Sequence, residues 1–393
     1  MPSATRRESV LLVTGAYFPE ISAAAVQTRA AAAALRDRVR FGVLTTAVDP
    51  SLPDTAVVDD VPVFRIRVDV RSRWSKARAS LQLARKLLGV GRNYDVVHLH
   101  GFSQKNVPVM SIARLLGKRV VLTLHTSGQD EPEAVRRSGS LAYRAFTSAD
   151  LVMAVSPRLR DAYEAAVPGA RVRLAPNGID LSRFHPATAA EQTAIRTSLG
   201  LPIDVPIVLF VGFFSRDKRP DVLFRAWQRL WSDRRLDTAM VFVGATEPTY
   251  HEIDSALARE IRAAAASNGR GHRVFFAPPT NAIEQYFRAA TMYALPSARE
   301  AHPLALLEAM ACGLPSVASR LAGATDAIVD DGVNGRLTTV DDEAAIADAL
   351  GALAADPDSA RRMGAQARRT IESAYDIRQT SETWMAAYRD VLA

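Results

Sequence analysis

Glu300 and Glu308 stand in the string Pro296–Pro315, which reads Pro-Ser-Ala-Arg-Glu-Ala-His-Pro-Leu-Ala-Leu-Leu-Glu-Ala-Met-Ala-Cys-Gly-Leu-Pro. Two carboxylates at that spacing say little alone, because surface helices often carry such pairs. Their setting says more. Leu304, Leu307 and Ala311 repeat at helical spacing, Pro303 suits the first turn of a helix, and Gly313 and Pro315 stop it. Glu300 then falls on a loop and Glu308 on the second turn, so both can face one space. A helix N-terminus there offers free N–H groups and positive potential, the chemistry that holds a phosphate.

The elements that must position this string flank it. Ala290–Leu295 and Ser316–Ser319 are short apolar runs of strand type, which makes the unit strand, tight loop, helix, strand. Ligands of open α/β sheets bind above the strand ends, where both glutamates would look.

The whole string resembles the Glu-x7-Glu motif of retaining glycosyltransferases of family 4. The resemblance implies an α/β chain of the GT-B fold, with two Rossmann-like doubly wound domains facing across a cleft. It makes Glu300 the residue that touches the donor sugar and Glu308 the one that binds the ribose. The loop between them would cradle the diphosphate, with Leu304 and Ala305 offering N–H groups. His302 and Pro303 occupy positions commonly Phe and Gly. Pro303 has no N–H to give, and His302 is read as either a donor contact or a packing residue.

Other strings extend the resemblance. Gly212-Phe-Phe-Ser-Arg216-Asp-Lys218 follows the first strand of the second half, Ile207–Phe213. The family has a glycine, an arginine and a lysine there, the two cations neutralising the leaving diphosphate. Gly212 and Lys218 keep their positions. Phe213 takes the arginine's, and Arg216 is the expected replacement. After Gly15, Ser22 and Ala23 stand where the family has a Gly-Gly pair beside the donor phosphates, and the Ser22 hydroxyl could also cap the next helix. His98 and His125 lie at strand ends that line the family's cleft. His125 is expected at the sugars, Asp130 and Glu131 are expected to begin a mobile loop over it, and His98 is as readily structural. Pro176-Asn-Gly178-Ile-Asp180 resembles the family's segment ahead of the interdomain linker, with Gly178 allowing a tight turn and Asp180 capping it. Asp326 replaces a usual glutamate. Asp356-Pro-Asp358 reads as a cap rather than a metal site.

Composition sets the outer limits. The chain has 393 residues, 48% hydrophobic and 23% charged, ordinary values for a folded protein of two or three domains. No apolar run reaches the roughly 18 residues of a membrane span, and the polar start Met1–Ser9 does not read as a secretory signal. The single cysteine, Cys312, excludes an internal disulfide and agrees with a reducing cytoplasm. A net charge of +7 points to an anionic partner.

In the first half, Val10–Gly15, Phe41–Thr46, Val63–Val68, Val96–His100, Val120–His125, Leu151–Ser156 and Val172–Ala175 are near-continuous apolar strands separated by helical patterns. They predict a parallel sheet covered on both faces. Arg65–Arg92 carries nine Lys/Arg residues against one acid, Asp69. Trp74, Ala77, Leu81 and Leu88 could share one face of a helix there, either solvated and packed on the sheet or resting on anionic lipid. No stacking-aromatic series supports nucleic acid.

The reading is a two-domain enzyme. Residues 1–187 form the acceptor-side domain, 188–376 the nucleotide-sugar domain, and the helix 377–393 crosses back to the first. The reaction is transfer of a sugar from a UDP- or GDP-linked donor to a hydroxyl of a glycan, lipid-linked saccharide or small glycosylated metabolite, with no cofactor and no metal. The place is the cytoplasm, with a peripheral position on the inner membrane face as an option. The rivals are a non-catalytic nucleotide-sugar-binding protein and, less favoured, a glycosidase.

Overall fold

The computed structural model describes residues 7–247 and 253–393, so most of the polar start, residues 1–6, lies outside the described residues. The chain divides into two compact units, Met1–Gly178 with Ile377–Ala393, and Ile179–Asp376. The division falls at Gly178 rather than at 187, because Ile179 already pairs with Asp376 and donates its N–H to the Tyr375 carbonyl.

The first unit is built on eight strands, β1 (Glu8–Thr14), β2 (Val39–Ala47), β3 (Thr55–Val58), β4 (Val61–Arg67), β5 (Val96–His100), β6 (Arg119–Leu124), β7 (Leu151–Ala154) and β8 (Val172–Leu174). Their order is β3-β4-β2-β1-β5-β6-β7-β8, parallel except for the β3–β4 hairpin. The sequence reading missed β3. Its turn uses Asp59 and Asp60 at φ 49° and 64°, a left-handed pair that aspartate tolerates and that suits a two-residue hairpin. Helices α1 (Ala23–Ala34), α2 (Arg73–Val90) and α3 (Asn106–Leu115) follow β1, β4 and β5. The order in which strands are added reverses between β1 and β5, and at such a switch point the loops diverge and leave a crevice above the strand ends.

The C-terminal helix Ile377–Leu392 buries Trp384, Met385, Tyr388 and Val391 in the core of this unit, among Val10, Leu12 and Phe41. Gly178 is required here by space rather than by turn geometry. A Cβ on it would lie 2.7 Å from the Ile377 Cα and 2.5 Å from the Thr380 Oγ1.

The second unit has six parallel strands, β9 (Ile207–Val211), β10 (Ala239–Val243), β11 (Val274–Ala277), β12 (Met292–Leu295), β13 (Ser316–Ser319) and β14 (Arg336–Thr338), in the order β11-β10-β9-β12-β13-β14. The reading missed β14, whose three residues are too few to show a pattern. The switch point lies between β9 and β12. The two strings that carry the cation and the first glutamate are the loops that leave those strands.

Candidate functional site

In the second unit the β9 and β12 loops are tied together. Ala298 donates its N–H to the Asp217 carbonyl at 2.8 Å, and Arg299 pairs with the Asp217 carboxylate. The tie brings Lys218 Nζ to 2.6 Å from Glu300 Oε1, with the carboxylate nearly buried. Two residues read separately from the sequence thus form one ion pair at the switch point. Gly212 donates to the Val243 carbonyl, and its own carbonyl presses so close to Gly244 (φ 152°) that a Cβ there would lie 2.0 Å away.

Pro303 is the N-cap of the helix Leu304–Ala311, one step outside the first turn. Leu306 and Leu307 return their N–H groups to the Pro303 carbonyl at 3.2 and 3.3 Å, so the Leu304 and Ala305 N–H groups precede the first intrahelical bond and remain for a ligand. His302 is buried with its ring 5.4 Å from that of Tyr375, which favours packing over donor contact. Glu308 is buried on the same helix. Burial pushes its carboxyl up to about 7, with Arg183 pulling it down and Glu284 adding to the rise. Arg183 itself is paired to Glu284 at 2.8 Å, and among the described residues no hydrogen bond reaches the Glu308 carboxyl.

A third residue joins the glutamates. The Tyr293 hydroxyl on β12 is buried and has no hydrogen-bond partner among the described residues. Burial, then Glu300, then Glu308 raise its pKa, so it lies within electrostatic reach of both carboxylates. The sequence reading placed Tyr293 inside an apolar run of strand type and gave it no role. A phenol among Met and Ala in a strand was the available signal.

Arg216 is not brought to this group. Its side chain is 84% exposed, and its Nε donates to Asp254 Oδ2 at 3.4 Å. The loop that aims Lys218 inward turns Arg216 toward Asp254, the N-cap of the helix Ser255–Ser267, so position alone did not decide its direction. Asp326 caps its own loop, accepting from the Gly323 N–H at 2.7 Å, and Asp356 caps the helix Pro357–Ala374 through the Ser359 N–H.

In the first unit, Ser22 caps α1 by accepting from the Ala25 N–H at 3.1 Å, and Ala23 opens that helix. His98 is structural: fully buried, it bonds the Tyr388 hydroxyl at 2.8 Å and Thr123 Oγ1 at 2.6 Å. His125 Nε2 lies 3.0 Å from His100 Nδ1, and burial lowers its pKa to about 4, so the imidazole is neutral. The expected mobile loop after His125 is instead anchored. Asp130 is buried and accepts from the backbone N–H groups of Phe102, His125 and Thr126 at 2.7 to 2.9 Å, and Glu131 pairs with Arg158. Burial raises the Asp130 carboxyl to about 6 against those three donors.

The basic segment resolves into parts. Arg65 is buried, its guanidinium donating to the Phe18 and Pro53 carbonyls, so it leaves the patch. Helix α2 packs through Ala79, Leu83, Ala84 and Leu87. Trp74, Ala77, Leu81 and Leu88 do share a face, but that face is exposed, Trp74 at 87% and Leu81 at 69%. Beside it β4 and α2 line an open pocket of about 1050 Å³ whose walls include Arg67, Arg78, Arg85 and Lys86.

Residues 191–370 match the family model described as "Glycosyl transferases group 1", and residues 24–183 match "Glycosyltransferase Family 4". The chain is 34% identical over 293 residues to the D-inositol 3-phosphate glycosyltransferase of Xylanimonas cellulosilytica, an alignment covering 70% of this chain and 67% of that one. It is 32% identical to the alpha-maltose-1-phosphate synthase of Mycolicibacterium smegmatis, over 71% of this chain and 75% of that one. Among solved structures it is similar to Anabaena HepE in complex with UDP and glucose, with a TM-score of 0.78 and 20% identity over 98% of this chain and 100% of that one.

Proposed function

Because the chain belongs to glycosyltransferase family 4 and has the GT-B fold, we propose that it is a retaining, metal-independent enzyme that moves a sugar from a UDP-linked donor to a hydroxyl of a phosphorylated polyol or sugar. The observation that carries this reading is the Lys218–Glu300 pair at the second switch point, beside the buried Glu308 on a helix whose first N–H groups are free for a phosphate. The uridine base is taken from HepE, and the phosphorylated acceptor from the names of the two relatives.

The donor's diphosphate lies against the Leu304–Ala305 N–H groups and Lys218, its ribose against Glu308, and its sugar against Glu300. As the bond from the sugar's anomeric carbon to the phosphate oxygen breaks, its electron pair leaves with the diphosphate. Lys218 and the helix N-terminus stabilise that growing charge. The acceptor hydroxyl attacks the same face of the oxocarbenium-like centre, and its proton passes to the departing diphosphate oxygen. In the first unit His125 offers the acceptor a neutral hydrogen bond. Incubation of the intact chain with UDP- and GDP-sugars and phosphorylated polyols, in EDTA, tests the reading. Nucleotide release coupled to a new glycoside supports it. Nucleotide binding without transfer would favour the binding protein, for which Ser22-Ala23, Phe213 and Pro303 are the case. Hydrolysis of a nucleotide-free glycoside would favour a glycosidase.

A second reading concerns place. No helix among the described residues is long and apolar enough to cross a membrane. We propose that the exposed Trp74–Leu81–Leu88 face of α2, flanked by exposed Arg73, Lys76, Arg78 and Arg85, rests on an anionic lipid surface at the inner face of the membrane. Vesicles containing phosphatidylglycerol should then bind the chain at low salt, and Trp74→Ala should weaken that binding. Equal partition onto neutral phosphatidylcholine vesicles would refute it.

A further inference from the structure

Lys105 occupies the first unit's switch point, on the connection from β5 to α3. Its ammonium reaches back across β1 to Thr46 of β2, with Nζ 3.1 Å from Thr46 Oγ1. The Thr46 hydroxyl spends its own proton on the Gly15 carbonyl at 2.5 Å, so toward the lysine its oxygen only accepts. That fixes the ammonium above the first residue after β1, where the absent side chain of Gly15 leaves it uncovered: a Cβ there would lie 3.6 Å from Nζ. Lys105 also stands at the N-cap of the ten-residue helix α3, which its side chain does not cap.

No ion pair and no second hydrogen bond reaches Lys105 among the described residues. The acids on the adjoining connections are engaged elsewhere. Glu20 accepts from the Val48 and Asp49 N–H groups, and Asp130 from three backbone N–H groups. The neighbouring imidazoles, His100 and His125, are bonded to each other and kept neutral by burial. Burial pushes the lysine down to about 8 with no charged group offsetting it. A largely desolvated ammonium with two unused N–H donors and no counter-ion is costly to the folded chain. An anion arriving at the strand ends would remove that cost and also meet the positive end of α3.

We propose that Lys105, aimed by Thr46, is the acceptor-recognition residue of the first unit and reads an anionic group, a phosphate by preference, on the acceptor. This rests on the reading of the chain as a glycosyltransferase, and it assigns the charge of the acceptor to one side chain. Nothing in the sequence reading singled out Lys105.

The test uses the intact chain saturated with UDP and compares, by calorimetry, myo-inositol 1-phosphate with myo-inositol and glucose 6-phosphate with glucose. At least one phosphorylated compound should bind about tenfold or more tighter than its parent, as a charge-assisted pair implies. Lys105→Met, which keeps the stem's packing, should erase that preference and leave the Kd for UDP unchanged. In the unaltered chain the preference should weaken as pH rises through about 8, where the free ammonium deprotonates. Equal affinities for every pair, or a Lys105→Met chain that keeps its preference, would overturn the proposal. So would inorganic phosphate binding as tightly as the phosphorylated polyols, which would make this a free-phosphate site. Failure of UDP itself to bind would instead overturn the glycosyltransferase reading.

Discussion

Lys218→Ala should lower kcat by about 10²- to 10³-fold while leaving the affinity for uridine, which has no phosphate, nearly unchanged. Removing one fixed donor from a site where charge grows in the transition state typically has that cost. The effect belongs in kcat because the lysine acts on charge that increases as the glycosidic bond breaks. Lys218 is placed for this by its 2.6 Å pair with Glu300 and by the two loops tied through Asp217. Arg216→Ala should change kcat by less than about threefold, because its exposed guanidinium is spent on Asp254 and exposed pairs contribute little. Steady-state kinetics on both variants checks the contrast. A dead Arg216→Ala beside an active Lys218→Ala would reverse the assignment. Removing the lysine also strips a buried carboxylate of its cation, so Tm is measured alongside. A lost Tm with kcat restored by a second change, Glu300→Gln, would mark Lys218 as structural.

Glu308→Ala should weaken UDP binding by about 1.5–3 kcal/mol, roughly ten- to a hundredfold, since a charged acceptor for ribose hydroxyls is lost. The pH dependence sharpens this. With the free carboxyl at about 7, half of it is neutral at that pH. The ionised form accepts from both ribose hydroxyls, so UDP should bind more tightly as pH rises through 7 and should expel a fraction of a proton. Calorimetry in buffers of different ionisation enthalpy detects that proton, and Glu308→Gln should abolish both effects. Folding stability runs the opposite way. The folded pKa lies above the unfolded value of 4.5, so the folded chain holds the proton more tightly. This contribution is complete below about pH 4.5 and is lost as pH climbs through 7. Its size is on the order of a few kcal/mol. Glu308→Gln should therefore flatten the slope of stability against pH between those values. A UDP affinity in Glu308→Ala equal to that of the unaltered chain would remove Glu308 from the site.

Much of this was legible before any coordinates. Near-continuous apolar runs between turn residues marked most strands, because a strand buried on both faces has no polar positions to blur it. The Pro303–Pro315 string gave its helix, since proline before and glycine after are local signals. What stayed hidden depends on contacts between distant segments. Lys218 and Glu300 meet only because β9 and β12 are neighbours, although 81 residues lie between them in the chain. Arg216 and Lys218 are two residues apart and face different ways, and only the packed loop decides which. Asp130 looked like the start of a free loop because one of its three backbone donors, Phe102, comes from another connection, and the other two depend on how its own connection folds back. Trp74 and Leu81 read as one apolar face, which they form, but periodicity cannot say whether a face is covered. Lys105 and Tyr293 gave no motif at all. Each matters through what surrounds it, a missing counter-ion for one and two nearby carboxylates for the other.

The central claim, transfer with retention from a nucleotide-diphosphate sugar without metal, is tested most directly by the anomeric proton of the product. The intact chain is incubated in EDTA with UDP-α-glucose, other UDP- and GDP-α-sugars and phosphorylated polyols, and the proton coupling of any new glycoside is read by NMR. For donors of gluco or galacto configuration the account predicts a small coupling, that of an α-linked product, appearing at the same rate as the free nucleoside diphosphate. A β-linked product, or turnover that vanishes in EDTA and returns with magnesium, would contradict it.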